Sequence, residues 1–353
     1  MQRKALFLIV FMYVSSLMAI IQAQTDESVK LANLKKAKIM YNDGIQNINN
    51  KKYTEAIAKF NDAVILAPDF EQLYLQRGKA KFESKDYTGA ITDFQKVISL
   101  KPDIGEAYFN LGYTMFIKDS TSVIKSREQY SLAIQKGYTE AYVYYYKGLS
   151  ELLLKDYKAA LEDLSQAIDK DQNYGLAYHE RGTAKLMLND FQGAIFDYRS
   201  SLNHIPNLVY AYNNMGFAKI NIGDFQGAIV DYTAAVTMDA GFYKAINNRG
   251  CARYQLNDYD KAIEDFSAAI KINKDYYRVY NNIGSAKAKL GKKKEAIENF
   301  NKVLDADKKF GFAYINRGLV KELTGDLDGA CADWKKADEL KVEQAKVYLK
   351  ECK

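Results

Sequence analysis

Between Glu71 and Ile104 the apolar positions recur with a helical period twice over. Leu73, Tyr74, Ala80 and Phe82 mark a first stripe. A polar turn around Ser84–Asp86 follows, and Tyr87, Ala90, Ile91, Phe94, Val97 and Ile98 mark a second. Lys101-Pro102 ends the pattern, because proline lacks an amide donor and disfavours helix in the residue before it. The stretch therefore predicts two amphipathic helices joined by a short turn, and neither can bury its apolar stripe alone.

The same pattern runs through most of the chain. Gly78 has counterparts at Gly44, Gly112, Gly148, Gly182, Gly216, Gly250, Gly284 and Gly318, spaced 34 residues apart except for 36 between Gly112 and Gly148. Alanine stands twelve residues after the glycine in eight of nine copies, Ala56, Ala90 and Ala330 among them. Four residues further on comes a large side chain: Phe60, Phe94, Tyr130, Leu164, Tyr198, Tyr232, Phe266, Phe300 or Trp334. The only prolines, Pro68, Pro102 and Pro206, share one repeat position. A helix–turn–helix period of this length with these fixed small and aromatic residues resembles the tetratricopeptide repeat, over residues 37–344.

The resemblance implies an all-α fold, a right-handed superhelix (α-solenoid) of nine repeats beginning near 37, 71, 105, 141, 175, 209, 243, 277 and 311. Residues 345–353 then form a capping helix, apolar at Val347 and Leu349 and charged at Lys346, Lys350 and Glu351. Two features depart from the family pattern. Its first-helix tryptophan is mostly tyrosine here, as in Tyr74, Tyr108 and Tyr212, and its later first-helix tyrosine is basic, as in Lys81 and Lys185. The extra two residues of the third repeat, within 118–125, read as a longer surface turn. Asp86, Asp156, Asp190, Asp224, Asp258 and Asp326 stand where they can cap second helices. Lys81 with Asp93, Lys185 with Asp197, Lys219 with Asp231, Arg253 with Asp265 and Lys321 with Asp333 predict bridges between paired helices; if exposed, each is worth at most about 1 kcal/mol.

The first 23 residues differ in kind. Arg3 and Lys4 precede an apolar run from Ala5 to Val14, and Ile21-Gln22-Ala23 leads into a polar start at Gln24. That layout predicts a secretory signal peptide at 1–23, with an uncleaved anchor as the alternative, and a polar lead-in at 24–36. The expected location is exported, periplasmic or extracellular. A net charge of +6 over 353 residues is too mild to argue for nucleic acid. Residues 271–309 hold eleven Lys/Arg against five Asp/Glu, a solvated rim or a weak contact for an acidic partner or membrane-associated complex. Of three cysteines, at least one is unpaired within the chain. Cys331 and Cys352 fall level on the last second helix and the cap, which predicts a disulfide between them with Cys251 free; two small buried thiols are the alternative.

Catalytic chemistry finds little support. His179 and His204 have no partners at metal-ligand spacing, and Thr183 stands where a zinc-protease helix needs a second histidine. No glycine-rich phosphate loop follows a strand. The expected function is a non-enzymatic scaffold without cofactor or metal. Asparagine stands two residues before the glycine at Asn42, Asn110, Asn214, Asn248, Asn282 and Asn316. The resemblance places this position in the concave groove, where a carboxamide can donate to and accept from a peptide backbone. It places Tyr41, Phe109, Tyr113, Tyr142, Tyr145, Tyr146, Tyr210 and Phe217 there too, as aromatic anchors. The implied partner is a protein or extended peptide. The chain is similar to exported bacterial tetratricopeptide proteins, which serve envelope assembly or secretion. Two alternatives stay open: asparagines that merely suit the repeat's own geometry, and a carbohydrate or envelope-polymer binding module that uses the groove tyrosines. On the binding reading, replacing Asn214, Asn248 and Asn282 by alanine costs affinity and leaves stability nearly unchanged.

Overall fold

A computed structural model describes the backbone of residues 2–352; the side chains of 1–16, 19, 20, 120 and 353 are outside the described residues. All elements among the described residues are helices, and the chain divides into two compact units, 1–172 and 173–353. In the first unit α1 (Gln2–Asn49) and α2 (Tyr53–Leu66) are followed by α3 (Glu71–Glu83), α4 (Tyr87–Leu100), α5 (Gly105–Lys118), α6 (Val123–Gln135), α7 (Ala141–Leu153) and α8 (Tyr157–Lys170). The second unit comprises α9 (Gly175–Met187), α10 (Phe191–His204), α11 (Val209–Asn221), α12 (Phe225–Met238), α13 (Tyr243–Gln255), α14 (Tyr259–Ile272), α15 (Val279–Lys289), α16 (Lys293–Ala306), α17 (Gly311–Glu322), α18 (Leu327–Glu339) and the short α19 (Ala345–Tyr348). Within each unit, every first helix packs on its own second helix, which packs on the first helix of the next repeat.

The repeat register has a steric cause. A Cβ at Gly44 would lie 2.5 Å from the Phe60 ring, and one at Gly318 2.4 Å from Trp334 Nε1. The glycine is therefore the notch that admits the large second-helix side chain, and Phe60, Phe94, Tyr198, Phe300 and Trp334 are fully buried. Alanine lets the two helices approach, and Ala90, Ala194 and Ala330 have no exposed surface. Ser126 fills the same slot in the repeat that lacks the alanine, its hydroxyl donating to Ser122 O at 3.1 Å. Tyrosine in place of tryptophan has a use: Tyr74 and Tyr108 donate to the carbonyls of Pro68 and Pro102 at 3.0 and 3.1 Å. The turn inside the repeat takes the left-handed backbone at Gly223 (φ 80°) and, against the usual preference, at Lys85 (φ 67°). There Asp86 N–H reaches Lys81 O and Lys85 N–H reaches Phe82 O, closing the first helix with a Schellman pattern.

Five of the six aspartates cap second helices, each side chain accepting from the backbone N–H three residues on. Asp258 instead pairs with Lys261 at 3.0 Å and makes no side-chain cap. The extra residues of the third repeat form a 3₁₀ turn at Ser120–Ser122, with Asp119 accepting from Thr121 N–H.

The predicted base–aspartate bridges form, but they are not surface pairs. Asp197 is fully buried and is gripped by Lys185 at 2.8 Å and by the Arg181 fork at 2.9 and 2.8 Å. Arg77 and Arg317 add the same second grip to Asp93 and Asp333. That second base, one residue before the glycine, escapes the sequence reading because Met215 and Ile283 interrupt the column.

The expected 1–23 leader lies within α1, and its residues up to 16 fall outside the described side chains. α1 runs on through Ala23-Gln24 and the 24–36 lead-in without a break, and among its described side chains the first fully buried one is Ala37. No helix among the described residues is long and apolar enough to cross a membrane. At the other end the cap is shorter than a full helix, α19 giving way to a 3₁₀ turn at Leu349–Glu351. Cys331 and Cys352 form a disulfide with Cα atoms 5.7 Å apart, beside Trp334 and Tyr348, whose rings stack at 5.3 Å. Cys251 is a free thiol, and burial pushes it up to about 11.

Candidate first-helix groove sites

A recurring set of first-helix positions lines cavities: two before the glycine and one, four and five after it, as at Asn110, Lys79, Phe82 and Glu83. In the first unit these positions on α3 and α5 line a cavity of about 380 Å³, joined by Ile48 at the end of α1, Tyr53 of α2 and Phe94 of α4. Phe82 and Tyr113 pack against each other on its wall with ring centroids 5.3 Å apart, and Tyr113 stacks on Phe109 at 5.8 Å. Asn110 reaches the same cavity. Its Nδ2 is buried and has no hydrogen-bond partner among the described residues. Lys79 on the wall is neutralised by Glu106 at 2.5 Å, whereas Glu83 is exposed.

Two cavities adjoin in the second unit, of about 230 and 340 Å³, sharing Tyr254 and Ser285. Asn282 lines one and Asn316 the other. The asparagines here are also tied to one another. Asn248 Nδ2 donates to Asn213 Oδ1 at 3.2 Å, Asn282 to Asn247 at 3.2 Å and Asn316 to Asn281 at 2.9 Å. Within repeats Asn213 donates to Asn214 at 3.1 Å and Asn247 to Asn248 at 3.3 Å. A second asparagine column, three before the glycine, thus braces the first across each repeat junction from α11 to α17. The doublets 213–214, 247–248 and 281–282 were the available signal, and only their side-by-side stacking gives it meaning.

The predicted groove residues divide accordingly. Asn110, Asn282 and Asn316 line cavities, and Asn214 and Asn248 belong to the brace. Asn42 is exposed on α1 and lines none of these cavities. Tyr145, expected as an open anchor, is buried at 7% exposure because it takes the inward position three before the glycine. Phe109, at 7%, does the same, though its edge still borders the cavity. Tyr210 is 63% exposed in the first turn of α11, packs edge-on against Phe242 and lines neither of the cavities that hold Asn282 and Asn316.

Titratable groups outside the grooves serve packing. His179 Nδ1 lies 3.2 Å from Glu180, and His204 stacks on Tyr178 at 5.8 Å. No group of side chains among the described residues is arranged to hold a metal ion. One buried cluster is unusual. In the α7–α8 repeat Glu151 replaces the base that elsewhere grips the aspartate, so it faces Asp163 with Lys147 between them, 2.6 Å from Asp163 and 3.7 Å from Glu151. Burial, reinforced by the neighbouring Asp163, pushes the Glu151 carboxyl up to about 8.

Comparison with known proteins agrees with this architecture. A TPR repeat family matches residues 78–117 and 250–291, and a tetratricopeptide repeat family matches 209–242 and 277–310. No curated protein matches the chain. Among solved structures, the C-terminal part of a TPR repeat-containing protein from Cytophaga hutchinsonii is 19% identical, with TM-score 0.56 over 68% of this chain and 99% of that one. YrrB, described as a TPR protein with an unusual peptide-binding site, is 16% identical, with TM-score 0.50 over 53% of this chain and 95% of its own. MamA is 30% identical over 47% of this chain and 96% of its own, with TM-score 0.43. The chain carries tetratricopeptide repeats, and its helix pairs are those of an α-solenoid built from them.

Proposed function

We propose that the protein is a non-enzymatic scaffold that binds a protein or an extended peptide along its first-helix grooves. One observation carries the reading: in each unit, cavities with largely apolar walls present an asparagine carboxamide, Asn110 in the first and Asn282 and Asn316 in the second. Apolar walls with a few oriented polar groups are the usual make-up of a binding site. A carboxamide both donates and accepts, so it can match any residue's peptide group. In the second unit Asn282 Nδ2 donates to Asn247 Oδ1 at 3.2 Å and to Cys251 Sγ at 3.8 Å, which leaves its oxygen as an acceptor for a ligand.

Export to the periplasm or cell exterior, and work in envelope assembly or secretion within a membrane-associated complex, complete the proposal. The leader-like pattern of residues 1–23 and the Cys331–Cys352 pairing favour an oxidising compartment. The test is an affinity pull-down from envelope extract with the full chain, repeated after glycan digestion, alongside thiol alkylation of the protein in intact cells. Protein partners retained after digestion, with Cys331 and Cys352 protected, support the reading. Capture that disappears with the glycans favours a carbohydrate-binding module instead, and both thiols alkylated in cells would falsify the oxidised location.

A further inference from the structure

At the C-terminal end of the second unit the seat of a first helix is filled by a stub. Elsewhere two first-helix residues seven apart lie against the preceding second helix, Ala211 and Ala218 against Ala194 and Tyr198, and Ala245 and Ala252 against Ala228 and Tyr232. Ala345 and Cys352 repeat that spacing and gather with Ala330, Trp334, Ala337 and Cys331. The seat is the same, but what fills it is short. α19 has four residues and the 3₁₀ turn after it three, and of these only Ala345 is fully buried, whereas the 13-residue α11 buries Ala211, Met215, Gly216 and Ala218. No hydrogen bond or ion pair among the described residues ties 345–352 to α17 or α18; Lys346 pairs with Glu343 beside it, and Tyr348 stacks on Trp334. The covalent tie is the Cys331–Cys352 disulfide, and neither cysteine is fully buried.

A segment this short does not hold a helix by itself in water, and the ordering of its backbone must be offset by contacts. One buried alanine and a stacked tyrosine offset little of that cost. The disulfide, which confines the segment to the neighbourhood of its seat, is what keeps it there. The helix beneath does not share this dependence, because α18 is held to α17 by Trp334 in the Gly318 notch and by the ion pairs of Asp333 with Arg317 and Lys321. We propose that Cys331–Cys352 is a redox latch on the end of the repeats: oxidised, it closes the stub over α18, and a dithiol reductant opens it. The reductant's thiolate attacks one sulfur to give a mixed disulfide, and its second thiol displaces the protein thiolate. Two electrons and two protons thus pass to Cys331 and Cys352, and the reductant leaves as a cyclic disulfide. Residues 345–352 are then free, and the face formed by Ala330, Trp334 and Ala337 stands open. The latch is independent of what the first-helix grooves bind.

The experiment is hydrogen-exchange mass spectrometry and tryptophan fluorescence of the full chain before and after dithiothreitol, and again after reoxidation. Trp334 is the chain's single tryptophan and stacks on Tyr348, so its emission reports on the stub directly. On reduction the amides of 345–352 should exchange about tenfold faster or more, as local opening of a segment with few other ties implies. The emission should shift to the red and acrylamide should quench it more strongly, with exchange in α11 and α13 unchanged. Reoxidation should reverse these changes. Cys352→Ser should show the open signature without reductant and no response to it, and Cys251→Ser, which leaves the latch intact, should respond as the parent does. A reduced chain whose stub stays protected and whose emission does not move overturns the latch and leaves the disulfide a permanent staple. A disulfide that yields to dithiothreitol only when the whole chain unfolds overturns it too.

Discussion

Replacing Asn214, Asn248 and Asn282 together by alanine is where the structure changes the forecast most. Read from the sequence, the triple change costs affinity and spares stability. In the folded protein it removes four amide–amide hydrogen bonds: Asn213 to Asn214, Asn247 to Asn248, Asn248 to Asn213 and Asn282 to Asn247, at 3.1 to 3.3 Å. At about 0.5–1.5 kcal/mol net for each bond, the loss is roughly 2–6 kcal/mol. Better helix propensity returns about 0.5 kcal/mol per substitution, leaving a net cost of about 0.5–4.5 kcal/mol. Asn247, only 6% exposed, keeps only its 3.9 Å contact with Cys251 Sγ and loses both asparagine partners, which favours the upper half of that range. A repeat array need not unfold as one unit, so the assay should resolve position. Hydrogen-exchange mass spectrometry should show faster exchange in α11, α13 and α15, with α3 and α5 unchanged, and the urea midpoint should fall. An unchanged midpoint with unchanged exchange in those helices would refute the brace and return the asparagines to a purely ligand-facing role.

Further outcomes follow from the buried clusters. Asp197→Ala leaves Arg181 and Lys185 facing each other without their shared partner and should cost about 3–5 kcal/mol in urea unfolding, more than Lys185→Met, which leaves the Arg181 fork in place. Gly318→Ala drives a methyl to 2.4 Å from Trp334 and should cost about 1–3 kcal/mol, with a change in tryptophan fluorescence as the direct sign of the displaced ring. Glu151 is raised from its ordinary 4.5 to about 8, so between those values the folded chain holds a proton that the unfolded chain has lost. Stability should therefore fall as pH rises through that window, and Glu151→Gln should flatten the dependence of Tm on pH; an identical slope in parent and variant would show that the carboxyl ionises normally.

The repeat is legible in the amino-acid order alone, because its causes are local or one helix apart. Gly44 with Phe60 and Gly318 with Trp334 are each a notch and a knob sixteen residues apart, a relation that any copy must keep for its two helices to meet. Helix starts were legible from Asp86, Asp190 and Asp224, whose side chains act on amides three residues away. The lysine–aspartate pairs were legible for the same reason, although whether Asp197 is buried was not. The features that depend on packing arise where neighbouring repeats are brought side by side. Asn213 and Asn248 are 35 residues apart, and nothing in either repeat alone says that one amide will satisfy the other. Inward and outward positions on a first helix differ by a single residue, about a hundred degrees of turn. Tyr145 therefore falls into the core, and Asn110, one residue beyond the inward Phe109, opens onto a cavity. Which asparagines are braced and which is left with an unmatched donor depends on the side chain that the next repeat happens to place alongside, and that is a property of the packed array.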